Sequence, residues 1–159
     1  MKKTRVLVIG CGNMGTSHAR AYHRLEGFEI VGLVSRKPES REKLSQELGG
    51  YPTFGDYETA LRESSPDAVS INTYPDTHFD YVKTALENNA HVFIEKPLAL
   101  TVEDAQVLVD LAQEKGKPAS TFLFPSRGKS GYLTRHAFYM LIKEFAVEAG
   151  VSPDLVTPH

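Results

Sequence analysis

The chain has 159 residues, the length of one domain or of one domain with an appendage, and a two-domain enzyme of ordinary size does not fit in it. With 41% hydrophobic and 24% charged residues it is a soluble globular sequence, which excludes wholesale disorder and collagen-like repeats, and its net charge of −2 gives no overall attraction to nucleic acid or anionic lipid. No apolar run approaches the ~20 residues of a membrane span, no cleavage site follows Met1-Lys2-Lys3, and the lone Cys11 excludes an internal disulfide; the cytoplasm is the expected compartment.

Arg5 to Gly10 is a short β-branched run ending in glycine, and Asn13 to Glu26 carries helical spacing with Met14, Ala21 and Leu25 as its apolar positions. Phe28 to Val34 predicts a second strand. Pro38 then opens a charged helix to about Leu48 that Gly49-Gly50 stops, and Thr53-Phe54 predicts a short third strand. Asp56 caps a helix to about Glu63, Asp67 to Asn72 reads as strand four, Asp76 to Asn88 as a helix and His91 to Glu95 as strand five. Thr101 caps a helix to about Lys115, Gly116 ends it, and Pro118 to Phe124 can supply a sixth strand. Val- and Ile-rich strands alternating with helices predict an α/β fold with a doubly wound parallel sheet of order 3-2-1-4-5-6. The domain boundary falls near residue 120. Residues 121–159 form an extension in which Thr134 to Ala149 is a helix with Phe138, Leu141, Ile142, Phe145 and Ala149 on one face.

Gly10-Cys11-Gly12-Asn13-Met14-Gly15 is G-x-G-x-x-G directly after a strand and opening a helix, the context in which that pattern is informative. Gly10 permits the tight turn, Gly12 lets a pyrophosphate approach the backbone, and Gly15 allows close helix–sheet packing. The N–H groups of the helix start, with the positive end of its dipole, face the phosphates. The alternative is a glycine turn without a ligand. Cys11 is a spacer whose backbone matters, and His18 and His23 are surface or packing residues of the first helix.

The end of strand two indicates which dinucleotide. An NAD-preferring domain places Asp or Glu about 20 residues past the loop to bind the ribose hydroxyls, whereas Ser35 stands here, followed by Arg36 and Lys37. No carboxylate repels a 2′-phosphate, and a guanidinium is offered that binds phosphate through two parallel hydrogen bonds. NADP is the preferred expectation and NAD the alternative, the net preference being about 1–2 kcal/mol. The competing reading makes Arg36 and Lys37 solvated loop residues.

Asn72-Thr73-Tyr74-Pro75-Asp76-Thr77-His78 after strand four and Glu95-Lys96-Pro97 after strand five, together with the glycine loop, resemble the Gfo/Idh/MocA family of NAD(P)-dependent oxidoreductases over residues 4 to about 120. The resemblance implies that Thr73 and Pro75 line the nicotinamide ribose, that His78 opens the next helix beside the cofactor, and that Lys96 reaches the nicotinamide and the substrate hydroxyl. Lys96 leaves the carboxyl end of a parallel strand, where its cation would stabilise alkoxide character as hydride leaves carbon. Glu95 either orients that ammonium or faces solvent, and His78 has purely local bonding as its alternative. The family expectation for the substrate is a small sugar or polyol, its oligomeric state being open. The family continues into a second α/β domain that supplies most substrate contacts, for which this chain lacks the length. The expectation is therefore a cofactor domain with little or no turnover alone, or else a non-enzymatic NADP(H)-binding regulator or subunit.

Residues from about Phe122 to His159, with Leu123-Phe124-Pro125-Ser126-Arg127-Gly128, Leu133-Thr134-Arg135 and Thr157-Pro158-His159, resemble part of the catalytic domain of Xer-type tyrosine recombinases. The arginine, later histidine and nucleophilic tyrosine of those enzymes are absent, so no DNA strand cleavage is expected. A DNA-binding remnant using Arg127, Lys129, Arg135 and Lys143 ranks last, since nearby acids offset these cations.

Overall fold

The structure, a computed structural model, describes residues 2–116, 134–152 and 154. The chain forms two compact units, Met1–Pro118 and Ala119–His159. In the first, five strands alternate with helices: β1 (Thr4–Ile9), α1 (Asn13–Arg24), β2 (Phe28–Val34), α2 (Pro38–Glu47), β3 (Thr53–Phe54), α3 (Tyr57–Ser64), β4 (Ala68–Ile71), α4 (His78–Glu87), β5 (His91–Ile94) and α5 (Val102–Glu114). All pairings are parallel and the sheet order is β3-β2-β1-β4-β5, the doubly wound arrangement predicted from the βα alternation. A sixth strand over Pro118–Phe124 would fall outside the described residues, as do Arg127, Lys129 and His159.

Strand periodicity explains why both faces are covered. Successive side chains point to opposite faces, so Leu7 and Ile9 of β1 join Val69 and Ile71 of β4 under Tyr57, Leu61, Val82, Leu86 and Leu108 of α3, α4 and α5. Val6 and Val8 enter a second cluster with Ile30, Leu33, Ala19 of α1 and Leu44 of α2. The β1–β2 register slips by one residue between Val6 and Leu7, where β2 carries the extra Val31.

The helix ends follow the residues predicted to set them. Pro38 opens α2, the Asp56 carboxylate accepts from the Thr59 N–H at 2.8 Å, and the Thr101 hydroxyl accepts from the Asp104 N–H at 3.1 Å. Gly116 follows α5 at φ 66°, a left-handed conformation glycine adopts without steric cost. The predicted apolar face of α1 is corrected. Met14 and Leu25 are about half exposed, and the buried positions are Gly15 and Ala19. The helix meets the sheet through small residues, so a tally of large apolar side chains points to the wrong face.

The described part of the second unit is the helix α6 (Arg135–Glu148) and the turn after it. Its burial also departs from the predicted stripe: Ala146 is buried, Leu141 and Ile142 are half-buried, and Phe145 is exposed. Lys143 pairs with Asp154 at 3.8 Å and lies over the Tyr139 ring, which compensates one of the cations considered for a phosphate track. Among the described residues no helix is long and apolar enough to cross a membrane.

Candidate functional site

β1 lies between β2 and β4, so the connections leaving it and its neighbours diverge to opposite sides and open a crevice at the carboxyl ends of the strands. The glycine loop occupies that point. Gly10 sits at φ 87°, and a Cβ there would lie 2.5 Å from the carbonyl oxygen of Asn72. A Cβ on Gly15 would lie 1.6 Å from the Gly10 carbonyl oxygen, so the start of α1 closes directly onto the end of β1. Gly12 differs: a Cβ there would meet no atom within 4 Å. The fold therefore needs no glycine at position 12, while a ligand resting on its backbone does.

Gly12 is also the N-cap of α1. Its carbonyl accepts from the Thr16 N–H at 2.8 Å, no side chain caps the helix, and the first turn holds no acidic residue. The amides of Asn13, Met14 and Gly15 thus open the helix at its positive end, where an anion is favoured. Cys11, 7% exposed, points its thiol at the Val34 carbonyl at 3.6 Å. Burial pushes that thiol up to about 11 against the opposing pull of the Arg41 charge, so it remains neutral and inert, in keeping with a spacer.

At the end of β2, the Ser35 N–H donates to the Phe54 carbonyl at 3.1 Å, and the Ser35 carbonyl accepts from Arg41 Nη1 at 2.8 Å. Arg36 and Lys37 are exposed and form no ion pair among the described residues. Arg41, on α2, is a residue the sequence reading passed over. A charged residue on a charged helix carries no periodic signal that it turns inward.

The segments after β4 and β5 hold the remaining candidates. The Asn72 amide nitrogen donates to the Ile9 carbonyl and to Ser70, leaving its Oδ1 buried without a hydrogen-bond partner among the described residues. The Thr77 hydroxyl donates to the Tyr74 carbonyl at 2.8 Å, so Thr73 Oγ1, 2.7 Å away, is the donor of the Thr73–Thr77 bond. Thr73 and the Pro75–Thr77 turn stand at the carboxyl end of β4, beside the glycine loop. His78 opens α4 as predicted and is fully buried, with Nδ1 2.6 Å from the Pro97 carbonyl and Nε2 3.1 Å from the Thr73 carbonyl. Its ring joins the two loops, and both its nitrogens face backbone.

Glu95 has a partner that was not weighed for it. Its carboxylate meets His18 Nε2 of α1 at 2.9 Å, and the His18 ring packs on Phe93. His18 is thus a packing residue that also links α1 to the end of β5, whereas His23 is exposed beside Tyr51. Spacing from Gly15 carries the signal: positions 15, 18, 19 and 22 fall on one helical face. Lys96 is exposed and makes no ion pair among the described residues; it joins Pro97 through a cis peptide bond.

The open backbone at Gly12, the uncapped start of α1 and the orphan Asn72 acceptor fit a nicotinamide dinucleotide laid across the crevice. Comparison with known proteins agrees. The family described as "Oxidoreductase family, NAD-binding Rossmann fold" (Gfo/Idh/MocA) matches residues 4–122. D-glucoside 3-dehydrogenase of Escherichia coli K12 is 31% identical over 114 residues, 71% of this chain and 32% of that protein. The structure of UDP-N-acetylglucosamine 3-dehydrogenase from Acidithiobacillus ferrooxidans is 34% identical with a TM-score of 0.65, covering 73% of this chain and 37% of that one. A 3-ketoreductase from Actinomadura kijaniata, in complex with NADP and TDP-benzene, is 27% identical with a TM-score of 0.67 over 72% of this chain and 35% of that one. The chain spans about a third of the length of these relatives. By its glycine loop, its sheet order and the match over residues 4–122, the chain belongs to the Gfo/Idh/MocA family of oxidoreductases with an NAD(P)-binding Rossmann fold.

Proposed function

We propose that the chain binds NADP(H) in preference to NAD(H), and that its crevice serves hydride transfer between the nicotinamide and a hydroxyl-bearing carbon of a small sugar or polyol. The observation that carries this reading is the vacant space over Gly12 at the uncapped start of α1. Asn13, Met14 and Gly15 hold the diphosphate through their amides. Ser35 accommodates a 2′-phosphate that a carboxylate would repel, and Arg36 supplies charge for it. Thr73 and Pro75 line the nicotinamide ribose. The bound dinucleotide supplies or accepts a hydride. Lys96, at the carboxyl end of β5 and without an ion pair among the described residues, places its ammonium against the substrate oxygen and stabilises alkoxide character there. His78 and Glu95 act behind this surface, His78 by holding the Thr73 and Pro97 carbonyls and Glu95 by engaging His18. The sugar class rests on the names of the relatives, two of which are sugar 3-dehydrogenases.

Titration of the purified chain with NADPH and with NADH, followed by nucleotide fluorescence, tests the reading. NADPH is expected to bind about tenfold more tightly. Gly12→Asp is expected to abolish binding of both while leaving the fold intact, because the added side chain enters space that no protein atom fills. Unchanged affinity in that variant would overturn the assignment of the loop.

A further inference from the structure

We propose that Arg41 is a specificity-determining residue of this site, a preset cation that reads the 2′-phosphate of NADP(H) alongside Arg36. The inference rests on the NADP(H) reading above and deepens it.

Two neighbours fix where the guanidinium lies. Nη1 donates to the carbonyl of Ser35, the first residue after β2. A Cβ built on Gly55, the first residue after β3, would lie 3.5 Å from the same Nη1 and 3.8 Å from Cζ. Residues 35 and 55 follow the carboxyl ends of two adjacent parallel strands, β2 and β3. The side chain of Arg41 therefore runs back from α2 to the crevice side of the sheet, on the β2 half where a dinucleotide places its adenosine ribose.

The guanidinium arrives there with its charge uncompensated. Arg41 forms no ion pair among the described residues, although its own helix carries Glu39, Glu42 and Glu47. Glu47 is taken by Arg20 of α1 at 2.6 Å. The Nε of Arg41 is buried without a hydrogen-bond partner among the described residues. A half-buried cation without a counter-ion carries a desolvation cost that an anion at its remaining guanidinium nitrogens would offset. Arg36 contrasts with it. Arg36 is exposed and must be ordered when the ligand arrives, whereas Arg41 is already held by Ser35 and loses less freedom on binding. A phosphate on the ribose next to Ser35 would meet one fixed and one adaptable guanidinium, each able to offer paired N–H donors.

The test uses the whole chain. Arg41→Gln should lower the affinity for NADPH about tenfold, the loss of one charge-assisted contact, and leave that for NADH within about twofold. Equal losses for both nucleotides, or an unchanged NADPH:NADH ratio, would show that Arg41 only props the Ser35 loop and would overturn the proposal. Arg36→Gln separates the parent reading: a wild-type chain without NADPH preference refutes both statements, while a preference abolished by Arg36→Gln and untouched by Arg41→Gln refutes this one alone. A second measurement needs no variant. On the native chain, 2′,5′-ADP should protect Arg41 from phenylglyoxal, read by peptide mass mapping, and 5′-AMP should not; equal protection by the two contradicts the proposal.

Discussion

A single methyl group separates the jobs of the loop glycines. At Gly15 it would sit 1.6 Å from a carbonyl oxygen of the same loop, so Gly15→Ala cannot be accommodated without moving α1 off β1. The expected cost is at least ~2 kcal/mol, read as a lowered denaturation midpoint, and a variant as stable as the parent would contradict the packing described. The pattern G-x-G-x-x-G made these positions legible because Gly10 and Gly15 answer close backbone approaches that no side chain allows, while Gly12 leaves its backbone open. Arg41 and Asn72 follow no such pattern: Arg41 turns back six residues to the Ser35 carbonyl, and Asn72 reaches the Ile9 carbonyl 63 residues away. Cys11 provides a check on burial in the same loop. Its thiol stays neutral to about pH 11 against an ordinary value near 9, so at pH 8 the native chain should alkylate ~100-fold more slowly than the unfolded chain. Since the folded value is the higher one, the associated stability is complete below pH 9 and is lost as pH rises from about 9 to about 11. Removal of the thiol by Cys11→Ala should flatten that decline in an unfolding series across the window.

Elements followed the sequence where their limits are set locally. The Pro38 start, the Asp56 and Thr101 caps and the Gly116 stop all act within one turn of the helix they bound, so a short window contains the whole signal. Thr101→Ala should accordingly cost about 1 kcal/mol of stability by chemical denaturation, without altering nucleotide affinity. A loss of affinity would mean that α5 does more than cover the sheet. The faces of helices were less legible. In α1 the contact surface is made by Gly15, His18 and Ala19, which hydrophobic counting discounts, because close backbone approach replaces side-chain bulk. Phe145 of α6 is exposed beside a buried Ala146 in the same way, a one-residue rotation of the predicted stripe.

At the scale of the molecule, alternation of β-branched strands with capped helices pointed to a parallel α/β sheet, and right-handed crossovers restrict its strand orders to a few, of which β3-β2-β1-β4-β5 is the one formed. That ordering carries Ser35, the glycine loop, the Thr73–Pro75 segment and Lys96 to the same end of the sheet, although they are dispersed over more than half of the sequence. The residues matched to the family are those of its NAD-binding Rossmann fold. In the proposed function a diphosphate is held by unadorned backbone where the first strand turns into its helix. Isothermal titration calorimetry of the folded chain with NADPH, set beside Gly12→Asp at equal concentration, measures this most directly. Saturable heat with one nucleotide per chain in the parent and none in the variant is predicted; heat absent from both, or equal in both, would contradict it.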